Sequence, residues 1–160
     1  MNVHGYERFW MWSAGGIILV FLGITTFAAV SQGRLPPSHV ETIDPQNVFT
    51  DPRFAQPGVA TNADGGVTAT IVALTFAFVP NDIRVPANVP VTFRLTSVDV
   101  VHGFQIVGTN GNTMVVPGYV SQFTTTFETP GEYLVTCNEF CGLGHHGMFA
   151  TIIVEGGGAP

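Results

Sequence analysis

Tyr133-Leu134-Val135-Thr136-Cys137-Asn138-Glu139-Phe140-Cys141-Gly142-Leu143-Gly144-His145-His146-Gly147-Met148-Phe149-Ala150-Thr151-Ile152-Ile153-Val154 reads as strand, loop and strand. Tyr133, Val135 and Cys137 share one face under a period of two, and Met148, Ala150, Ile152 and Val154 do the same on the far side of the loop. Both cysteines of the chain, a histidine and a thioether therefore stand above two rows of core-facing side chains. Gly142, Gly144 and Gly147 leave little bulk between these donors, so a short loop can fold several side chains onto one point.

Thiolate, thioether and imidazole together suit a soft metal such as copper, whereas magnesium or calcium would want carboxylates and carbonyls. Three plainer readings stand beside that one. Cys137 and Cys141 could close a disulfide, although a Cys-x3-Cys ring contributes little loop entropy and has no use for His145 and Met148. Zinc could take Cys137, Cys141, His145 and one further histidine, but leaves the thioether idle. Met148 could simply be a core residue at the head of the final strand. Ligand count separates two kinds of copper site. A mononuclear blue-copper centre takes two histidines, one cysteine and a weak axial methionine, which leaves one cysteine over. Two thiolates bridging two coppers need one imidazole and one weak donor per metal, and hence a second histidine from elsewhere in the chain.

The same β pattern extends upstream. Thr68, Thr70, Val72, Leu74, Phe76 and Phe78 alternate with Ala69, Ile71, Ala73, Thr75 and Ala77, and Pro80-Asn81-Asp82 turns the chain. Short runs follow at 83–85, 91–96, 104–107, 113–116, 120–127, 133–137 and 148–154, each bounded by Gly, Pro, Asn or Asp. Many short strands punctuated this way predict a mainly β domain, a β-sandwich. Sheet pairing can bring His102, at the head of one strand, to the loop that begins at Cys137.

Cys-x-Glu-x-Cys-Gly-x-x-His-x-x-Met, from Cys137 to Met148, resembles the binuclear copper A loop of subunit II of the heme-copper oxidases. Ser97-Val98-Asp99-Val100-Val101-His102-Gly103-Phe104 is similar to the family segment that carries the first histidine, and Pro130-Gly131-Glu132-Tyr133 also fits. The resemblance covers most of residues 67–154 and implies a cupredoxin-like Greek-key β-sandwich over 67–155. It further implies Cys137 and Cys141 as bridging thiolates, His102 and His145 as imidazole ligands, Met148 as axial sulfur and Glu139 as a ligand through its carbonyl. His146 matches the family spacing less well and is not expected to bind. Asp99 is expected either to orient a ligand or to serve only as a turn carboxylate.

With 160 residues, 46% hydrophobic and 10% charged, the chain has room for one modest domain and something beyond it. The mean hydropathy is +0.35. Lysine is absent and the net charge is −6, so neither nucleic acid nor an anionic membrane surface is an expected partner. Residues 9–30 carry no charge, and 22 positions at about 1.5 Å each cross a hydrocarbon core of about 30 Å. Trp10 and Trp12 suit its interface, and Glu7 beside Arg8 is a poor signal-peptide n-region, so an uncleaved transmembrane helix is expected after a segment at 1–8. Residues 31–66, with Pro36, Pro37, Pro45, Pro52 and Pro57, read as a linker wrapping over a surface, in which His39 is a solvated side chain, and 156–160 as a flexible tail.

One apolar span points to the single-helix, B-type branch of the resembled family. The resemblance then implies an electron-transfer subunit of a cytochrome c oxidase in the cell inner membrane, with the copper domain on the extracytoplasmic side. Electrons would arrive from cytochrome c and pass to the heme-bearing subunit I, where oxygen is reduced to water with proton pumping. This chain would have no oxygen-reducing site, and a further small single-helix subunit is an expected neighbour. The tryptophan-rich aromatic stretch of many relatives is missing, and Phe76 and Phe78 stand in the comparable place, either as the patch where electrons arrive or, the commoner case, as buried core phenylalanines. Glu7, otherwise a solvated helix-start carboxylate, resembles a glutamate at the mouth of a proton channel. Glu139 is a carboxylate where close B-type relatives often have an amide, and in other branches it also touches magnesium at the subunit boundary. A membrane-anchored copper carrier or storage protein is the alternative of another class.

Overall fold

The computed structural model describes residues 3–31, 41–63 and 65–156. The expected tail beyond 156, His39 and the first part of the expected linker lie outside the described residues. The chain divides into two compact units, 1–39 and 40–160.

The first unit carries helix α1, Val3–Ser31, whose 29 residues span about 43 Å at 1.5 Å each. It starts well before residue 9, so Glu7 sits within the helix rather than ahead of it, 3.8 Å from His4 Nδ1 one turn back. Phe9, Trp12, Leu19 and Phe27 are all exposed, and a helix apolar on every side needs lipid or other helices around it. The Thr25 hydroxyl donates to the Phe21 carbonyl at 2.9 Å, which satisfies a polar group inside the apolar run.

The second unit is a sandwich of two five-stranded sheets. Its strands are β1 Gly58–Thr61, β2 Val67–Leu74, β3 Ala77–Val79, β4 Asp82–Pro86, β5 Pro90–Ser97, β6 His102–Ile106, β7 Asn112–Val115, β8 Ser121–Thr126, β9 Gly131–Thr136 and β10 Phe149–Glu155. One sheet runs β1-β2-β5-β8, with β3 also on β2, and the other runs β4-β10-β9-β6-β7. The pairs β2 with β5 and β4 with β10 are parallel, and the remaining pairs are antiparallel. Val91, Phe93 and Leu95 of β5 face Ala150, Ile152 and Val154 of β10 across one buried core. Within it Phe93 stacks on Phe123 with centroids 5.1 Å apart, and Phe78 meets Phe104 edge-on at 5.3 Å.

Each short run read from the sequence after residue 82 appears as a strand with ends shifted by no more than two residues. Two expectations change. The alternation over 67–78 is not one strand: the chain reverses at Thr75-Phe76, and β3 folds back on β2 with Leu74 opposite Ala77. The two-residue turn pairs Ala73 with Phe78, which puts Phe78 on the core face of Ala69, Ile71 and Ala73 instead of the face of Val72, and a period of two carried straight through the turn misses that change of phase.

The part of the expected linker from residue 41 onward belongs to the folded unit. Ile43, Val48 and Phe54 are buried against Val72 on the outer face of the first sheet. Arg94 places two bonds of 2.6 and 2.7 Å on the Glu41 carboxylate and lies over the Phe54 ring. Arg53 joins Glu41 to Asp51. Prolines exclude long strands here, yet isolated apolar anchors and charge-assisted bonds hold the segment down.

Candidate metal centre

The turn after β5 and the loop between β9 and β10 meet at one end of the sandwich. His102 heads β6 and is wholly buried, while Cys137 follows β9 directly. The Cys137 N–H donates to the Met148 carbonyl at 3.2 Å and closes the loop at its base. Within the loop, bonds from His145 to Gly142, Gly147 to Gly144 and Met148 to His145 curl the chain. Gly142 has φ +131°, a conformation a side chain would resist.

The donors fall into two groups around the sulfurs. Cys137 Sγ lies 3.9 Å from His102 Nδ1 and 3.2 Å from the Glu139 carbonyl oxygen. Cys141 Sγ lies 3.6 Å from both His145 Nδ1 and Met148 Sδ. The two sulfurs are 3.8 Å apart, beyond the roughly 2.05 Å of a disulfide, and both cysteines are free. Each sulfur thus has one imidazole and one weak donor of its own. All six residues expected as ligands come together.

Burial, with the neighbouring Cys137, pushes the Cys141 thiol up to about 11. Two buried sulfurs facing two ring nitrogens and a thioether suit a soft cation that replaces the thiol protons, so the residues fit copper. Zinc in a four-ligand site would leave Met148 and the Glu139 carbonyl unused.

Asp99 is both a turn residue and a partner of His102, one of the expected ligands. Its Oδ1 accepts from Val100 N–H at 2.6 Å and from His102 Nε2 at 2.8 Å, and its Oδ2 accepts from Thr75 N–H at 2.6 Å and the Thr75 hydroxyl at 2.8 Å. Burial alone would raise this carboxyl, but the bonds from His102, Val100 and Thr75 hold it well below the usual carboxylate range.

Phe76 is 40% exposed and lies against the loop: a Cβ placed on Gly144 would fall 2.7 Å from its Cγ, and one on Gly142 3.0 Å from its Cε1. Of the two readings of Phe78 the structure takes the core one, since at 1% exposed it packs against Phe104 and is no part of a docking surface. The hairpin at Thr75-Phe76 places the two rings in different surroundings. His146 is exposed. Reading by motif passed over Phe140 and Leu143, which are 78% and 93% exposed on the ligand loop itself, with the Phe140 ring 5.9 Å from that of His145. Their signal was present in the sequence: large apolar residues in a glycine-rich loop.

A two-sheet β domain with buried sulfur and imidazole donors at one end, in a chain that also carries an apolar helix, defines a membrane-associated cupredoxin-like metal protein. The family model described as cytochrome c oxidase subunit II, periplasmic domain, matches residues 67–156. A cytochrome c oxidase subunit 2 of Thermus thermophilus is 40% identical over 154 residues, covering 94% of this chain and 92% of its own. A second subunit 2 from that organism is 43% identical over 132 residues, covering 81% and 98%. Among solved structures, a chain of a heme-copper terminal oxidase dimer matches with TM-score 0.69 and 32% identity over 93% of this chain and 99% of its own. The periplasmic domain of subunit II from Bradyrhizobium japonicum, at 19% identity, TM-score 0.53, and coverage of 56% and 83%, shares the fold. The chain belongs to the cytochrome c oxidase subunit II family. It is an electron-transfer subunit of a heme-copper oxidase, an oxidoreductase complex, and the reading as a copper carrier is not favoured.

Proposed function

We propose that His102, Cys137, Glu139, Cys141, His145 and Met148 hold a binuclear copper A centre that takes electrons one at a time from cytochrome c and passes them to the heme-bearing subunit I. The observation that carries this reading is the pairing of donors: Cys137 with His102 and the Glu139 carbonyl, Cys141 with His145 and Met148. Bound copper supplies a one-electron couple. The chain supplies a cage on two strand ends whose buried floor keeps water away, so the ligands move little when charge arrives. Oxygen is reduced in subunit I rather than by this chain.

Phe76, Phe140 and Leu143 form the apolar surface through which the loop meets its partners. Ten acids and three arginines follow Leu35, a balance of −7 that favours a basic donor. The exposed Glu139 side chain is free to meet magnesium at the boundary with subunit I. The α1 helix anchors the chain in the cell inner membrane beside subunit I and a further small single-helix subunit, with the copper domain extracytoplasmic. Glu7 stands at the mouth of a proton channel.

The test is copper loading of the full chain in detergent. Two coppers per chain and a mixed-valence paramagnetic signal shared by both metals are expected, and Cys137→Ser or Cys141→Ser should abolish the sharing. One copper, or one zinc, defeats the binuclear reading.

A further inference from the structure

We propose that Asp99 is the positioning residue of the metal centre and that, through Thr75 and Phe76, it straps the two donor groups to each other from outside the cage. A carboxylate serving only its own turn would need the Val100 N–H and the Ser97 hydroxyl, both of which Asp99 Oδ1 engages. The remaining contacts reach further. Oδ1 takes the Nε2 proton of His102, which leaves Nδ1 bare and turned toward Cys137 Sγ. Oδ2 takes both donors of Thr75, 24 residues away in the chain. Thr75 is followed by Phe76, whose ring lies on Gly142 and Gly144, between Cys141 and His145. The path from His102 through Asp99, Thr75 and Phe76 to the far half of the ligand loop is therefore continuous, with no step through a metal. Asp99 is 26% exposed and His102 fully buried, so the carboxylate stands between the ligand and solvent.

The geometry also accounts for the glycines. A side chain at 144 would displace Phe76, and one at 103, beside His102, would run into Asn138, the neighbour of Cys137. Both halves of the cage are thus set by close packing around atoms that bind nothing themselves.

This inference rests on the copper reading, and its experiment separates the two. Copper affinity is measured by chelator competition on the full chain in detergent, together with the paramagnetic spectrum, for wild type, Asp99→Asn, Thr75→Val and the double variant. Circular dichroism confirms folding. Asp99→Asn should lower copper affinity by about 10–100-fold and alter the imidazole-nitrogen coupling. Thr75→Val keeps the main-chain bond and touches no ligand. It should move affinity and spectrum in the same direction by a smaller factor, and add less in the Asp99→Asn background than alone. A merely structural role would lower the unfolding temperature without changing the spectrum. The strap is overturned if wild type holds two coppers and Asp99→Asn matches it in both readouts, or if the two effects simply add. Should Asp99→Asn fail to fold, a Thr75→Val chain with wild-type affinity and spectrum overturns it alone. A wild-type chain that binds fewer than two coppers sinks the binuclear reading instead.

Discussion

Gly144→Ala tests whether Phe76 rests on the ligand loop. Gly144 has φ −90° and ψ 5°, the bridge region that non-glycine residues also occupy in type I turns, so the larger part of the cost is steric. The new methyl would stand 2.7 and 2.8 Å from Cγ and Cε2 of Phe76, which are ring atoms that move only with the whole side chain. Overpacking of this kind costs about 1–3 kcal/mol, more than the roughly 0.4–1 kcal/mol by which a Gly→Ala change stiffens the unfolded chain. Phe76→Ala has its own cost. With 40% of the residue exposed, about 120 Å² of roughly 200 Å² is covered, worth about 3 kcal/mol at ~25 cal/mol per Å². Set against that stiffening, Gly144→Ala alone should cost about 0–2.6 kcal/mol; in the double variant the methyl has no ring to meet, so the total should be about 2–2.6 kcal/mol rather than the additive value of about 3–5.6. Denaturant unfolding of the metal-free chain in detergent, followed by circular dichroism, measures all three. If the two costs add, the ring does not rest on Gly144, and the strap through Phe76 loses its last link.

Phe54→Ala should destabilise the domain by about 3–5 kcal/mol in the same assay, whereas a cost near zero would mean that residues 41–57 are not part of the fold. Hydrogen bonds from Arg53 hold the Asp51 carboxyl down at about 2 from 3.8. Because the folded value is the lower one, the stabilisation is complete above about pH 4 and lost as pH falls toward 2, and an Asp51→Asn chain whose acid unfolding curve matches wild type would contradict this. Met148→Leu should retain copper and shift its midpoint potential in a redox titration; complete loss of metal would show that the axial assignment is wrong. Reduction by a basic cytochrome c should slow as ionic strength rises in stopped-flow measurements, and a salt-independent rate would remove the electrostatic part of docking.

Much of this protein is local, and what is local was legible in its residues. The candidate donors lie within Cys137–Met148 apart from His102, the later strands alternate in short punctuated runs, and residues 9–30 carry no charge, so the β class, a long apolar helix and a donor set suited to a soft metal could all be read from one chain. The reversal at Thr75-Phe76 could not, since a two-residue hairpin shifts the alternation by one residue, and that shift sends Phe78 to the core face of Ala73 while Phe76 lies on the loop. Residues 41–57 were obscured for a related reason: Ile43, Val48 and Phe54 follow no period, and only the outer face of the first sheet gives them a place to be buried. Composition and spacing decide which chemistry a segment can offer. Contacts between residues far apart in the chain, such as Asp99 with Thr75 or Arg94 with Glu41, depend on sheet pairing, which no single stretch encodes.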